Sequence, residues 1–393
     1  MLEIAAVALA GIMTGTFTGL IPGIHPNTVI FSLFPFYFSL NINLPVFTVF
    51  IAALSVSHTF HDFLPAIYLN APSADSAVAS LPGARKALEG EGPEAFQYTL
   101  DGGLLSTVFF TFSLPFFFLF LSDVYGLASA LMPWILGFFL LFILLSNWSK
   151  AAVAVTVFSG VLGVLAFNTS VNQNFVLMPV FSGLFAAPAL LELLKTGKDL
   201  PEQEKEPSPL NLKGGGTGFL AGILAGTVPG VGAGVATSFL SPLIDNEKAS
   251  LTGLGAVNTA DIFMSLVALF IIGKARSGAS VAVEALGSLD FSLLVLALGT
   301  SFFSAGLSFL LAQRVEALFL KLLEWFNLQL IALPVLIVLF SVSLIFTGFI
   351  GVLILLVSAL IGLLGWRNSC RMCCMNVLIT PALLFYLGFG IFI

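Results

Sequence analysis

Two apolar runs of the chain are each interrupted at their middle by a Pro-Gly pair. The first, GTFTGLIPGIHPNTVIF, occupies residues 15–31, and the second, GILAGTVPGVGAGVATSF, occupies residues 222–239. Proline removes a backbone donor and clashes with the preceding turn, and the adjacent glycine tolerates most backbone conformations. Each pair therefore predicts a helix that stops inside an apolar segment.

The composition predicts an integral membrane protein. Of the 393 residues, 58% are hydrophobic and 9% are charged, whereas a soluble domain is about a quarter charged. Continuous apolar runs long enough, or nearly so, to cross the hydrocarbon occupy 104–122, 128–146, 328–347 and 349–366. Barrel strands would alternate in polarity. We therefore predict an all-α, polytopic protein of the cell membrane, and without a basic stripe we expect no nucleic-acid partner.

A charged segment rich in proline and glycine divides the chain. Residues 195–216, KTGKDLPEQEKEPSPLNLKGGG, are typical of a linker, which predicts one transmembrane repeat over 1–194 and a second over 217–393. Lysine and arginine favour cytoplasmic loops, so the lysines of this segment place it in the cytoplasm.

The remaining basic residues predict that the two halves cross the membrane in opposite directions. Counting apolar runs back from the linker makes 104–122 run outward, and counting back from Arg367 makes its counterpart 291–311 run inward. Lys274 and Arg276 are exceptions, because the count places them outside or within the membrane. The sequence thus predicts two inverted-topology repeats with broken or re-entrant helices.

Residues of the two halves also align. Glycines at four-residue spacing precede each Pro-Gly pair, as Gly11, Gly15, Gly19, Pro22 and Gly23 and as Gly218, Gly222, Gly226, Pro229 and Gly230. Further on, NAPSADSAV at 70–78 aligns with KARSGASVA at 274–282, which pairs Ser73 with Ser277 and Ser76 with Ser280.

A helix broken inside a membrane needs a compensating environment. Its unsatisfied backbone groups cost several kcal/mol each in lipid, so the break must be buried in protein or line a wet cavity. A helix that begins after the break directs free N–H groups and the positive dipole end at that space, which suits an anion. Paired discontinuous helices in inverted repeats are typical of secondary transporters. Close helix packing is the alternative explanation for one glycine motif, and recurrence in both halves disfavours it.

Polar side chains lie midway along the next apolar region of each half, where ionisable groups usually mark substrate or ion paths. The candidate substrate ligands are Pro22, Gly23, His25, Asn27, Thr28, Asn70, Ser73, Ser76, Pro229, Gly230, Gly232, Gly234, Asn258, Ser277 and Ser280. We expect Asp62, Asp75 and Asp261 to couple to H⁺ or Na⁺. Lys274 and Arg276 are candidates to neutralise anionic charge, with interfacial loops as the alternative for both and for Asp75. Asp101 is expected to cap a helix N-terminus.

Histidines and cysteines raise the alternative of a metalloenzyme. His58 and His61 share a helical face, and Asp62 and His25 could complete a metal site. A di-iron oxidase needs more than the three histidines present, and the cysteines of CRMCC at 370–374 lack a nearby histidine to form a zinc site. A histidine packed against polar neighbours, or one on a proton path, is the favoured interpretation, so we predict no enzyme, metal or cofactor.

Four segments together resemble the large permease of the tripartite tricarboxylate transporters, the TctA family. They are GLIPGIHPNTVIFSLFPF, PAIYLNAPSADSAV, EAFQYTLDGGLLS and GILAGTVPGVGAGVATSFLSPL. The resemblance implies ion-driven uptake of carboxylates such as citrate, together with a small membrane subunit and an extracytoplasmic binding protein. This chain differs from the family at His25-Pro26-Asn27, which replaces a glycine-rich continuation after the first Pro-Gly pair. It also differs at GKARSGAS, where the family has a GIPGS-like sequence. By the resemblance, Pro22, Gly23, Asn27 and Thr28 would face Pro229, Gly230, Gly232 and Gly234.

We therefore predict a secondary transporter that moves an anionic solute by alternating access. A lipid-phosphate translocase is the first alternative, because the same helix ends could hold a polyprenyl phosphate whose tail stays in the membrane lipid. An intramembrane metalloenzyme and a structural scaffold are the others.

Overall fold

The structure, a computed structural model of the chain, describes residues 2–71, 80–196, 200–204, 209–240, 243–244, 246–325 and 328–389. The helices are α1 Leu2–Gly19, α2 Pro26–Ser32, α3 Phe34–Ser39, α4 Leu44–His61, α5 Phe63–Tyr68, α6 Ser80–Leu88, α7 Gly92–Ala130, α8 Met132–Ser146, α9 Lys150–Phe167, α10 Gln173–Phe181, α11 Ala187–Thr196, α12 Leu212–Ala225, α13 Ala233–Leu240, α14 Glu247–Ile272, α15 Gly278–Leu286, α16 Phe291–Trp325, α17 Leu328–Arg367 and α18 Asn376–Tyr386. A π-helical turn, Ser182–Ala186, joins α10 to α11, and a 3₁₀ turn, Arg371–Met375, precedes α18.

The architecture confirms the prediction of an all-α, multi-pass membrane protein. Among the described residues there is no strand, and eight helical stretches are long and apolar enough to cross a membrane. Large apolar side chains lie uncovered along them; Phe112, Trp134 and Phe349 are 76%, 78% and 82% exposed. An apolar surface of this extent requires lipid around it.

The long helix α17 is a hairpin of two spans. Gly348 interrupts it with φ 62°, a backbone conformation that glycine adopts without strain. Gln329, near its start, donates a hydrogen bond to the carbonyl of Leu194, and Trp366, near its end, lines a cavity with Glu192. Both ends therefore lie at one end of α11, and the hairpin contains the two spans that the sequence predicts on either side of the glycine.

Helix α7 differs from the prediction. The sequence suggests that a span ends at residue 122 and another starts at 128, whereas α7 continues without a break to Ala130. Because α7 begins at Gly92, Asp101 lies inside this helix, where it accepts a hydrogen bond from Gln97 (2.8 Å). The expectation that Asp101 caps a helix is therefore wrong. The residues between 122 and 128 contain no proline. Their one glycine, Gly126, has no atom within 4 Å of its Cβ position, and a single glycine inside a helix is tolerated at a cost of about 1 kcal/mol.

The linker is shorter than predicted, because α12 begins at Leu212, inside the segment 195–216. Gly214 of this helix packs against the backbone of Ala249 in α14, so its missing side chain permits close helix contact rather than flexibility. The described part of the linker is held down by Gln203, which accepts from the Gly92 amide (3.0 Å) and donates to the Ala87 carbonyl (2.9 Å). We call this end of the molecule the linker side.

Helices α7 and α16 run in opposite directions across the bundle. Helix α7 begins on the linker side at Gly92, and further along it Phe118 packs against Phe291, the first residue of α16 (ring centroids 6.2 Å). Helix α16 then returns to the linker side, where Glu316 accepts a hydrogen bond from Tyr68 (2.9 Å), whose ring lies against Gly92. The inverted relationship of the two halves stays a prediction, and these directions agree with it.

The halves make equivalent contacts. Gly15 of α1 faces the backbone nitrogen of His58 in α4, and Gly222 of α12 faces the backbone nitrogen of Asp261 in α14. Glycine is needed at both positions, because a Cβ would lie 2.9 Å from that nitrogen at Gly15 and 3.1 Å from it at Gly222, and closer still to other atoms. The glycine repeat of each half thus seats its first helix on the long helix that comes after the break and its short helices, α4 in the first half and α14 in the second.

The halves also exchange helices. Gly102 of α7, in the first half, packs against Thr252 of α14, in the second. Gly163 of α9 likewise packs against Pro381 of α18, in the second half. Each half therefore completes its core with helices of the other.

A network of ion pairs joins the halves on the linker side. Glu94 of α7 accepts hydrogen bonds from Lys86 of α6 (2.8 Å) and from Lys248 of α14 (2.7 Å), and Lys86 also pairs with Glu91. Burial lowers the pKa of Lys86, but the hydrogen bonds to the two glutamates outweigh burial and raise its pKa above the usual range. The network holds three helix ends together.

Replacing Glu94 by glutamine should lower the free energy of unfolding by about 2 kcal/mol, because buried Lys86 loses one of its two carboxylates. The denaturation midpoint in detergent measures this loss. Glu89→Gln is the control, since Glu89 pairs only loosely with Arg85 (3.7 Å) and both side chains are more than half exposed. It should cost under about 0.5 kcal/mol, and equal losses for the two variants would contradict the assignment.

Candidate functional site

The first Pro-Gly pair ends a helix, as predicted. Helix α1 stops at Gly19, and Gly23 has φ 81°, a left-handed conformation that explains the glycine. Helix α2 begins at Pro26, and His25 caps it by accepting a hydrogen bond from the Asn27 amide at Nδ1 (3.3 Å). The break therefore spans residues 20–25.

The second pair does the same in the other half. Helix α12 ends at Ala225, Gly230 has φ 74°, and α13 begins at Ala233. The two glycines after proline thus share a left-handed backbone, and in both halves a short helix follows the break. Gly234 is buried inside α13, and Gly232 lies 3.0 Å from Met375 where its Cβ would be.

The nearest neighbours of the two breaks come from different elements. Gly23 packs against Leu339 of α17 and against Ala186, and its carbonyl accepts a hydrogen bond from Ser182 (3.0 Å) in the π-helical turn. Gly230 instead packs against Leu378 of α18. These contacts do not pair Pro22 and Gly23 with Pro229 and Gly230. The predicted meeting of the breaks with each other therefore has no support in them, and it stays a prediction.

The first break meets the second half at another place. The side chain of Asn27 lies directly against Gly278, the first residue of α15. Ser277 caps α15 in a reciprocal capping box with Ser280, whose hydroxyl is fully buried and also accepts from the Arg276 amide (2.9 Å). The serines predicted as ligands thus hold the α15 N-terminus in place, and Asn27 is the side chain presented to it.

Arg276 extends away from this contact. Its guanidinium donates a hydrogen bond to the Tyr125 hydroxyl near the end of α7 and lies 5.7 Å from the centre of that ring. Lys274 is exposed. The structure therefore places Arg276 on an aromatic side chain of the first half, at the end of the bundle opposite the linker side.

Other predicted site residues lie along α4, α5 and α14. Asn258 is 3% exposed, and both polar atoms of its side chain lack a hydrogen-bond partner among the residues that the structure describes. Asp62 is 6% exposed and ends α4, its amide donating to the His58 carbonyl (2.9 Å). Asp261 is half-buried, with the Ser265 hydroxyl 3.4 Å from its carboxylate. Buried, unsatisfied amides are costly, so Asn258 stays a candidate ligand for a polar substrate.

Asn70 ends the first polar region. It lies two residues after α5 and has φ 49°, and Gly273, at the end of α14, has φ 61°. A residue with a left-handed backbone therefore follows the polar region of each half. Asn70 lines a cavity of about 250 Å³ on the linker side with Trp366 and Arg371, among others. Ser73, Asp75 and Ser76 lie outside the described residues. Thr28 is buried in the first turn of α2, and its amide donates to His25 (3.0 Å).

From the sequence, His25 is grouped with His58 and His61, and the structure brings all three close to the first break. The rings of His25 and His58 are 6.2 Å apart, and His58 Nδ1 lies 3.0 Å from the Thr18 hydroxyl. His61 Nδ1 lies 2.7 Å from the Ser57 carbonyl, and its Nε2 is buried with no hydrogen-bond partner in the described part of the chain. The four-residue glycine spacing of α1 is the signal that could have placed these residues next to it.

The described residues contain no group of three or more His, Cys, Asp or Glu side chains arranged to hold a metal ion. The three cysteines are buried with free thiols around the 3₁₀ turn. The metalloenzyme alternative therefore has no ligand set in this part of the chain.

The family model described as "Tripartite tricarboxylate transporter TctA family" matches residues 5–376, nearly the whole chain. An uncharacterized protein of Methanocaldococcus jannaschii is 29% identical over an alignment of 398 positions, which covers 96% of this chain and 98% of that protein. No solved structure matches the chain.

Proposed function

Because the chain belongs to the tripartite tricarboxylate transporter TctA family, we propose that it is a secondary active transporter of an anionic carboxylate solute, working by alternating access. It is a multi-pass protein of a transporter family, with eight stretches suited to spanning a membrane. The proposal adds a substrate class, a site, a coupling ion and the cell membrane as its location.

One observation carries the proposal: a broken helix of the first half meets a helix start of the second. Asn27, in the first turn of α2, lies against Gly278 at the start of α15. The Asn27 amide side chain and the first backbone N–H groups of α15 are donors, and donors converging inside a membrane protein suit a carboxylate. We place the substrate here, beside His25, and the second break would supply donors from the other half.

The arrangement of the halves supports alternating access. Helices α7 and α16 run in opposite directions, and Gly15 and Gly222 seat equivalent helices in the two halves. In inverted repeats, a site between the halves can open to either side when one half moves against the other. The ion pairs of Glu94 would then close the linker side.

Uptake by the full-length chain in liposomes tests the function. Radiolabelled citrate should accumulate inside when an inward H⁺ or Na⁺ gradient is imposed, and collapse of the gradient should release it. A thermal-shift screen of the purified protein should show stabilisation by carboxylates. Stabilisation by phosphorylated lipids alone, with no uptake of any carboxylate, would contradict the proposal and favour the lipid-phosphate alternative.

Coupling is proposed to depend on the aspartates of the polar regions. Neutralising Asp62, Asp75 or Asp261 to asparagine should abolish gradient-driven uptake, because a carboxylate at membrane depth binds a proton or Na⁺ that an amide cannot replace. Asp123→Asn, at an exposed position of α7, is the control and should transport normally. Unchanged uptake in all three variants would remove the aspartates from the coupling mechanism.

We further propose partners of the kind that the family name implies, a small membrane subunit and an extracytoplasmic binding protein. Co-expression with neighbouring genes that encode such proteins, followed by co-purification, tests this. Uptake by the chain alone at the full rate would show that no partner is needed.

A further inference from the structure

Helices α4 and α14 occupy equivalent positions, and this equivalence identifies matching residues. Gly19 of α1 faces the carbonyl oxygen of His58, and Gly226 of α12 faces the carbonyl oxygen of Asp261, with both Cβ positions about 3 Å away (2.9 and 3.1 Å). The amide nitrogens of the same two residues face the preceding glycines of each half. His58 therefore stands in the first half where Asp261 stands in the second.

The matching extends along both helices. Each carries three polar residues at positions i, i+3 and i+7, which share one helical face. They are Ser55, His58 and Asp62 on α4 and Asn258, Asp261 and Ser265 on α14. Among the described residues, Ser55 Oγ and both polar atoms of Asn258 are buried without hydrogen-bond partners, so each stripe begins at an unsatisfied polar side chain.

The two stripes differ at the matching position of His58 and Asp261 in the cation that the side chain can hold. Na⁺ takes oxygen ligands, as other hard cations do, and the amide oxygen of Asn258 and the carboxylate of Asp261 are of this kind. An imidazole nitrogen is a poor ligand for Na⁺ and an effective base for a proton near neutral pH. The position of His58 thus suits a proton.

We propose that His58 is a proton-binding site of the first half, the counterpart of Asp261, and that its proton is exchanged together with the anion held beside His25 and Asn27. The identity of that anion as a carboxylate rests on the proposed function. The proton site itself rests on the geometry of α1, α2 and α4.

The surroundings of His58 make its protonation depend on the anion. Among the described residues, the titratable groups whose charge acts on it are His25, from the cap of α2, and His61, on its own helix; α1 contributes the Thr18 hydroxyl. Asp62 follows His58 by four residues at the end of α4. The helices packed against α4 carry further charged residues, namely Glu3 on α1, Glu94, Asp101 and Asp123 on α7, Glu247, Lys248 and Asp261 on α14, Glu284 on α15 and Arg314, Glu316, Lys321 and Glu324 on α16. His58 is 4% exposed and lies near two other imidazoles, so an additional anion nearby would favour its protonated form.

The coupling follows from this arrangement. The His25 ring, which caps the helix that presents Asn27, lies 6.2 Å from the His58 ring. An anion bound there would attract a proton to His58, and by linkage a proton on His58 would strengthen anion binding by the same factor. At a separation of about 10 Å between anion and imidazole and an effective dielectric constant of about 20, the expected factor is about tenfold.

The first experiment is independent of any substrate assignment. Full-length protein labelled at histidine and placed in nanodiscs gives three imidazole signals, which single His→Gln variants assign. The protonation of His58 is followed from about pH 9 to pH 4.5, with and without citrate. We expect His58 to take up a proton within this range, at higher pH when citrate is present. A ring that stays neutral throughout in both samples would overturn the proposal.

The second experiment measures citrate binding against pH in matched variants. The ratio of wild-type to His58→Gln affinity cancels the titration of citrate itself, and it should rise about tenfold from pH 8 to pH 5.5. His58→Asp, which installs the residue of the second half, should restore the rise, whereas a flat ratio would overturn the proposal. If citrate does not bind and His58 still titrates, the carboxylate assignment fails and the proton site stands. If citrate binds and His58 does not titrate, the reverse holds.

Discussion

Replacing Gly278 by alanine is expected to reduce citrate uptake by at least about tenfold while leaving the protein folded. The Cβ would overlap the side-chain amide of Asn27, so that flexible group has to swing away from the α15 N-terminus. Alanine is otherwise favourable at the start of a helix, and the obstructing atoms belong to a side chain rather than to backbone, so stability should change little. Initial uptake rates in liposomes and the denaturation midpoint measure the two effects.

The mechanism of this effect can be separated from general damage. If Gly278→Ala acts through Asn27, then adding it to Asn27→Ala should cause no further loss of uptake. Gly299→Ala in α16, where a Cβ meets nothing within 4 Å, is the control and should transport normally. Additive losses in the double variant would show that the contact between Asn27 and Gly278 does not carry the effect.

Replacing Gly255 by alanine should produce the largest loss of stability in the chain, about 3 kcal/mol or more. The new Cβ would overlap the carbonyl oxygen of Thr99 in α7 and lie 2.6 Å from the carbonyl carbon, and neither backbone atom can move without shifting its helix. Helices α7 and α14 belong to different halves, so forcing them apart weakens the contact that joins the halves. We expect a lower denaturation midpoint and reduced recovery of monodisperse protein.

The same helix offers a matched control. Gly253 lies two residues earlier and therefore on the opposite face of the helix. A Cβ there would be 3.4 Å from the nearest atom, which is an ordinary contact. Gly253→Ala gains the same helix propensity as Gly255→Ala, about 1 kcal/mol, without the overlap. It should leave stability unchanged or raise it, and equal destabilisation by both variants would contradict the proposed packing.

Features with a local physical cause were predictable from the sequence. Pro-Gly inside an apolar run can hardly continue a helix, and both predicted breaks are present with left-handed glycines at Gly23 and Gly230. The spans on either side of Gly348 followed from the length of the apolar run alone. The membrane class followed from the scarcity of charge, because no other environment covers so much apolar surface.

Features that depend on which helices meet were not predictable. Nothing near Asn27 in the sequence indicates that Gly278 lies against it, since the contact is set by the packing of whole helices between the halves. The GGG segment at 214–216 shows the same limit. Composition assigns it to the linker, whereas the approach of Ala249 makes it part of α12. Asp101 was placed at a helix start because local signals do not reveal that α7 begins nine residues earlier, at Gly92.

The exchange of helices between the halves also governs how the protein is made. While the first half leaves the ribosome, α7 has no partner for the face that carries Gly102, because Thr252 of α14 has not yet been synthesised. Insertion of the first spans into the membrane and burial of their contact surfaces are therefore separate events. In the interval, the nascent chain exposes small-residue faces to lipid or to a membrane chaperone, and its packed form is reached only when the second half arrives.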